Sequence, residues 1–211
     1  MTRILALTPW ISIIVYQLLG HASGFRPELM QPLSLGLALG LAPIIWYRRL
    51  VRQASDLEPA IPAYLVLIFL GFWLFPEHLG QAMSAAALYG VFFLVAAVPP
   101  LWGREPFTCH FARRQTPPKE WRTALFKEIN QHLSIFWAGL FALSFLVSLA
   151  GGLWTAHDSS RLRFVWAYLL PLAFQAGLGA PATRWYPAYR RRHPGPLLSG
   201  APQRFKSSKC R

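Results

Sequence analysis

Residues 133–154 read LSIFWAGLFALSFLVSLAGGLW, a run of apolar, small and hydroxyl side chains with no charge and no histidine. A bilayer core asks for about 20 apolar residues in a helix, with about 17 to 25 tolerated, so this stretch is long enough to cross. It does not alternate apolar with polar residues, which excludes a barrel strand. In hydrocarbon only a helix or a closed barrel satisfies every backbone N–H and C=O. The stretch is therefore read as a membrane-crossing helix.

Five more apolar blocks follow the same pattern: ILALTPWISIIVYQLLG from Ile4, LSLGLALGLAPIIWY from Leu33, IPAYLVLIFLGFWLF from Ile61, AMSAAALYGVFFLVAAVPPLW from Ala82 and FVWAYLLPLAFQAGLGA from Phe164. The composition agrees, since 54% of the 211 residues are hydrophobic and only 14% charged, where a soluble domain carries about 25% charged residues. The expected fold is all-α, a polytopic membrane protein of about six spans near 4–20, 32–48, 60–76, 82–102, 133–154 and 163–180, forming one domain over 1–183. The blocks from Leu33 and Ile61 are short and would use flanking residues or a locally thinner bilayer. The first block follows Arg3 and could be a removed leader, but Pro9, Trp10, Tyr16, Gln17 and the lack of an A-x-A site favour a retained span. Residues 184–211 form a basic cytoplasmic tail, expected to be partly without fixed structure.

Charge placement orients the spans, because Lys and Arg concentrate in cytoplasmic loops. With the N-terminus inside, eighteen of the 21 basic residues fall on the cytoplasmic side, and only Arg26, Arg161 and Arg163 fall outside. Both termini are then cytoplasmic. The net charge of +13 flanks spans and does not build a basic domain with interleaved stacking aromatics, so nucleic acid is not the expected partner. Arg190, Arg191 and Arg192 follow a span directly. Basic residues so placed favour anionic lipid headgroups by about 1 kcal/mol each.

No Asp, Glu, Lys, Arg or His lies near the middle of any block, which disfavours a proton- or ion-coupled transporter. Packing material is present instead: Gly36 with Gly40, Ala86 with Gly90, Gly139, and Ser144 with Ser148. Pro43, Pro99, Pro100 and Pro171 are read mainly as helix boundaries and not as broken helices around a ligand. Each expected external loop carries one histidine, His21, His78 and His157, with Glu77 and Asp158 adjacent to the last two. These five residues are the candidate set for metal or acid–base chemistry, although no ligand-spacing motif joins them and solvated loop ends explain them more simply. Cys109 and Cys210 both fall on the cytoplasmic side, where no structural disulfide is expected, and Cys109 is read as a buried or interfacial thiol. No motif names a cofactor.

The connection EPFTCHFARRQTPPKEW, residues 105–121, is read as an interfacial strap. Thr116 before Pro117 and Pro118 has the form of a helix start. A helix over 117–132 would place Trp121, Leu125 and Ile129 on one side and lie in the interface before the fifth span. Phe107 and Phe111, with Arg113 and Arg114, form a shorter amphipathic turn before it. These residues and Arg190 to Arg192 are the candidate membrane-interface or partner surface.

The arginine-rich PFT..FARRQTPP loop, Trp121, Asn130 near the membrane and the aromatic helix WAGLFALSFLV from Trp137 through Phe141 follow one another in an order that resembles the intracellular septation protein A family. Trp46, Tyr47 and Arg48 closing an earlier helix add to the likeness. The resemblance covers about half the chain, judged by where its clear points fall. It implies a bacterial inner-membrane protein linked to envelope synthesis and septation, and no catalytic residues to carry over. Three readings stand: a non-catalytic envelope or septation scaffold, an accessory subunit of a larger respiratory or photosynthetic membrane complex, and an enzyme or carrier using the external histidines. The expected partners are anionic lipids and other membrane proteins.

Overall fold

The computed structural model describes residues 2–51, 57–74, 81–154, 162 and 164–193, and every regular element among them is helical. In chain order these are α1 (Thr2–Ser23), α2 (Pro27–Leu50), α3 (Ala60–Leu74), α4 (Gln81–Leu101), the short α5 (Thr108–Arg113), a 3₁₀ turn at Pro118–Glu120, and α6 (Ala124–Trp154). A last rod, α7, covers 165–192 as a π segment at Val165–Leu169, an α segment at Leu170–Phe174, a second π segment at Gln175–Gly179 and an α segment at Ala180–Arg192. Three helices are long and apolar enough to cross a membrane, Pro27–Leu50, Met83–Leu101 and Ala124–Gly151, and Ala60–Leu74 is a shorter apolar helix.

The α1–α2 corner shows local sequence setting geometry. Gly24 and Phe25 both take left-handed backbone, with φ of 66° and 57°. The Phe25 N–H donates to the Gly20 carbonyl at 2.8 Å and the Gly24 N–H to His21 at 3.3 Å, the paired closure of a Schellman motif. Phe25 then folds its ring over Gly20, where a Cβ would lie 2.5 Å from that ring. Only glycine fits beneath it. Pro27 opens α2, as suits a first helical position, so α2 begins earlier than the expected 32 and runs to Leu50.

Packing centres on α6. It lies antiparallel to α4, with the Ser134 hydroxyl donating to the Ala96 carbonyl at 2.9 Å, Phe145 against Gly90, and the Phe92 and Phe141 rings 5.5 Å apart. Of the small-residue positions singled out above, Gly90 and Ser148 are used in helix contacts, whereas Gly36, Gly40 and Gly139 have nothing within 4 Å of a built Cβ. A neutral polar knot ties α1, α3, α4 and α7 together. The Gln17 amide donates to the Tyr64 hydroxyl at 2.7 Å, Tyr64 and Ser84 share a 2.7 Å bond, and the Tyr168 hydroxyl donates to Gln17 Oε1. Such bonds average about 0.6 kcal/mol between membrane helices, and they also fix register.

Two expectations about element limits need correction. The interfacial helix expected over 117–132 is not a separate element: 118–120 is a 3₁₀ turn, and α6 starts at Ala124 and continues unbroken to Trp154. Thr116 does not cap it, because its hydroxyl donates back to Ala112. Thr123 is the cap, its Oγ1 accepting the Phe126 N–H at 3.2 Å. Residues 184–192, expected in the tail, are helical, and the remainder of that tail, 194–211, lies outside the described residues.

At the end of α2, Arg48 pairs with Glu58 just before α3, and both side chains are nearly sealed, at 3% and 4% exposure. Removing one member of a buried pair typically costs about 3–5 kcal/mol, whereas replacing both by apolar residues is often neutral. Glu58→Ala should therefore lower the melting temperature in detergent sharply, and the double variant Arg48→Met with Glu58→Leu should recover most of the loss. An unchanged melting temperature for Glu58→Ala would show that the pair does not hold the hairpin.

Candidate functional site

Leu57, Phe107 and Arg191 border one cavity, so the α2–α3 turn, the strap and the C-terminal part of α7 meet at one end of the bundle. Among the described residues, Arg113, Arg114, Arg184, Arg190, Arg191 and Arg192 lie on the strap and the end of α7. Several are held in place. Arg190 bonds Glu128 of α6 at 2.5 Å, with both side chains 13% exposed. Arg191 approaches Glu120 at 3.6 Å in a more exposed setting. Arg113 pairs with Glu105, and its guanidinium lies 5.5 Å over the Trp121 ring. His132 Nδ1 and the Tyr186 hydroxyl share a 2.5 Å bond. Burial raises the Tyr186 phenol above its ordinary value, against the opposing pull of Arg190, so the phenol stays neutral near pH 7.

The strap is fastened by a second set of bonds. The Thr108 hydroxyl donates to the Asn130 carbonyl at 2.7 Å, joining α5 to α6. Asn130, 2% exposed, returns its amide to the Phe126 carbonyl at 2.8 Å. The Trp121 indole donates to the Thr116 carbonyl at 3.0 Å, so the tryptophan closes the turn and does not extend a helix. Phe107 is buried while Phe111 is exposed, their rings edge-to-face at 6.4 Å. Ile129 is buried, Leu125 and Trp121 are half-buried, and Arg114 and Arg192 are exposed. Cys109 is a buried thiol on α5.

Between strap, α6 and α7 lies a cavity of about 860 Å³. Its deep wall is apolar and aromatic, formed by Trp10, Phe92, Phe126, Leu133, Trp137 and Phe141. Its mouth is polar, bordered by Gln115, Glu120, Arg184 and Arg191. Trp137 is positioned by α7: a Cβ on Gly179 would come within 2.5 Å of its ring, and its indole donates to the Thr183 hydroxyl at 3.0 Å.

Of the external candidate set only His21 lies among the described residues. His21 is exposed beside Phe164, ring centroids 5.2 Å apart, and Glu77, His78, His157 and Asp158 lie outside the described residues. Among the described residues no group of three His, Cys, Asp or Glu side chains converges. What sequence reasoning missed was the acids. Glu105, Glu120 and Glu128 are three of only eight acidic residues in the chain, clustered in the most basic connection, and that clustering was the available signal for ion pairing. The cavity left no such trace, because its walls come from separated helices.

No family model matches the chain, no curated protein is similar to it in sequence, and no solved structure is similar to it in fold.

The Glu128–Arg190 pair joins the start of α6 to the end of α7. A hydrogen bond to a charged group contributes about 1.5–3 kcal/mol, so Glu128→Gln should lower thermal stability in detergent by about that amount. It should also speed protease cleavage near Arg190 to Arg192. Equal cleavage rates for variant and parent would show that the pair does not anchor the end of α7.

Proposed function

We propose that this chain is a six-span protein of a bacterial cytoplasmic membrane, both termini cytoplasmic, that acts as a non-catalytic envelope scaffold. The observation that carries the reading is the basic end itself. Ion pairs and the His132–Tyr186 bond fasten α6, α7 and the 3₁₀ turn of the strap to one another there, while Arg49, Arg114, Arg122, Arg184 and Arg192 remain exposed. A fixed array of cations at the membrane edge suits anionic headgroups and an acidic partner surface. The likeness to septation proteins at Trp121, Asn130, Trp137 and Phe141 supports an envelope role, and the eighteen-to-three distribution of basic residues supports the orientation.

A second reading, accessory subunit of a larger membrane complex, is favoured by one feature. Gly36 and Gly40 lie four apart on α2 with open space where a Cβ would sit, and such a face lets another helix approach closely.

Two measurements test these readings. A reporter active only outside the cytoplasm, fused after Arg192, should stay silent, whereas strong activity would overturn the six-span orientation. Crosslinking in intact membranes should trap a defined neighbour, and the joint change of Arg114, Arg122 and Arg192 to Gln should abolish that product at unchanged membrane abundance. A variant that retains the product in full would remove the basic end from the scaffold role.

A further inference from the structure

The cavity behind the strap has a form that the scaffold reading does not use. At about 860 Å³ it falls within the range of about 300–1,000 Å³ typical of small-molecule sites. It is elongated: Gln175 and Arg184, both lining it, stand nine residues apart on α7, roughly 13 Å at about 1.5 Å per residue. One end is aromatic and apolar, around Trp10, Phe92, Trp137 and Phe141. The other end is charged, and among the described residues its charge is unbalanced. Of these, Arg184, Arg191 and Glu120 are the ionisable ones on the lining. Glu120 lies 3.6 Å from Arg191, and Arg184 has no carboxylate partner among the described residues. Gln115 borders the same mouth and offers an amide.

We propose that this cavity binds one anionic single-chain amphiphile, its apolar chain along the aromatic wall and its phosphate or carboxylate group at Arg184. A chain gains by leaving water for an apolar wall. A guanidinium offers an anionic group charge-assisted, bidentate hydrogen bonds that a zwitterionic headgroup, carrying its own cation, uses less well. The π segment Gln175–Gly179 contributes to the shape. It ends at Gly179, whose missing Cβ admits the Trp137 ring, and π turns inside helices recur at functional sites. The inference stands on the cavity and not on the scaffold reading, so either can fail without the other.

The test is native mass spectrometry of the full chain in a neutral maltoside detergent, titrated with lysophosphatidylglycerol or with lysophosphatidylcholine of the same chain length. One saturable adduct is expected, about tenfold tighter for the anionic lipid. Arg184→Gln should bring the two lipids to near equality. Arg104→Gln, exposed just before the strap and away from the lining, should leave the preference intact. Ala112→Trp, which fills the cavity from α5, should abolish the adduct of either lipid, with the melting temperature measured alongside to confirm folding. Free phosphate should not compete at concentrations where the lysolipid saturates. The proposal is overturned if the parent shows no lipid preference, if Arg104→Gln lowers that preference as much as Arg184→Gln does, or if folded Ala112→Trp still binds. Competition by free phosphate would also overturn it, reducing the site to an anion site without a chain.

Discussion

The contact between α4 and α6 is the interaction on which the rest of the structure depends. Helices long and apolar enough to cross a membrane gain little by hiding apolar surface from a lipid solvent, so in that setting association relies on close packing and on hydrogen bonds across the interface. The α4–α6 face supplies both, with Gly90 admitting Phe145, Ser134 reaching the Ala96 carbonyl, and Phe92 against Phe141. Once α6 is held, it serves as the post to which α5 ties through Thr108 and Asn130. It also receives α7, through Ser148 to the Ala167 carbonyl at 3.2 Å and through Trp137 to Thr183.

The α6–α7 contact explains the two π segments. Along α7 the residues turned toward the bundle recur every four positions, at Ala167, Pro171, Gln175 and Gly179, of which Ala167, Pro171 and Gly179 are buried. In a regular helix four residues rotate about 400°, so such a face would drift about 40° per turn. Wider π turns at Val165–Leu169 and Gln175–Gly179 absorb the drift. They keep one face on α6 from Trp166, whose side chain packs against Gly151, down to Arg190 at Glu128. Both close approaches in this contact, Gly151 to Trp166 and Gly179 to Trp137, place a glycine opposite an indole.

Polarity is arranged by level. The Gln17, Tyr64, Ser84 and Tyr168 knot is neutral and closes on itself, which suits a place where charge would be costly. Among the described residues the ion pairs are kept to the turn between α2 and α3 and to the strap end, outside the apolar stretches of the helices. The cavity lies between these regimes, with apolar walls inward and arginines at its mouth.

The sequence by itself determined that the chain is helical and where its apolar helices lie. Backbone satisfaction in an apolar setting is a local requirement, readable from any window of sufficient length. The even spacing of Trp121, Leu125 and Ile129 suggests one helical face, but Trp121 lies before α6 begins and that spacing has no helical meaning there. Only the tertiary structure decided that α6 begins at Ala124, because Thr116 spends its hydroxyl on Ala112 and the Trp121 indole closes on the Thr116 carbonyl. It also decided that α7 runs through Arg192, where Glu128 holds Arg190, and that α1, α4, α5, α6 and α7 together enclose a cavity. Those outcomes depend on partners far apart in the chain, and a local pattern carries no record of which distant side chain will complete a bond or line a void.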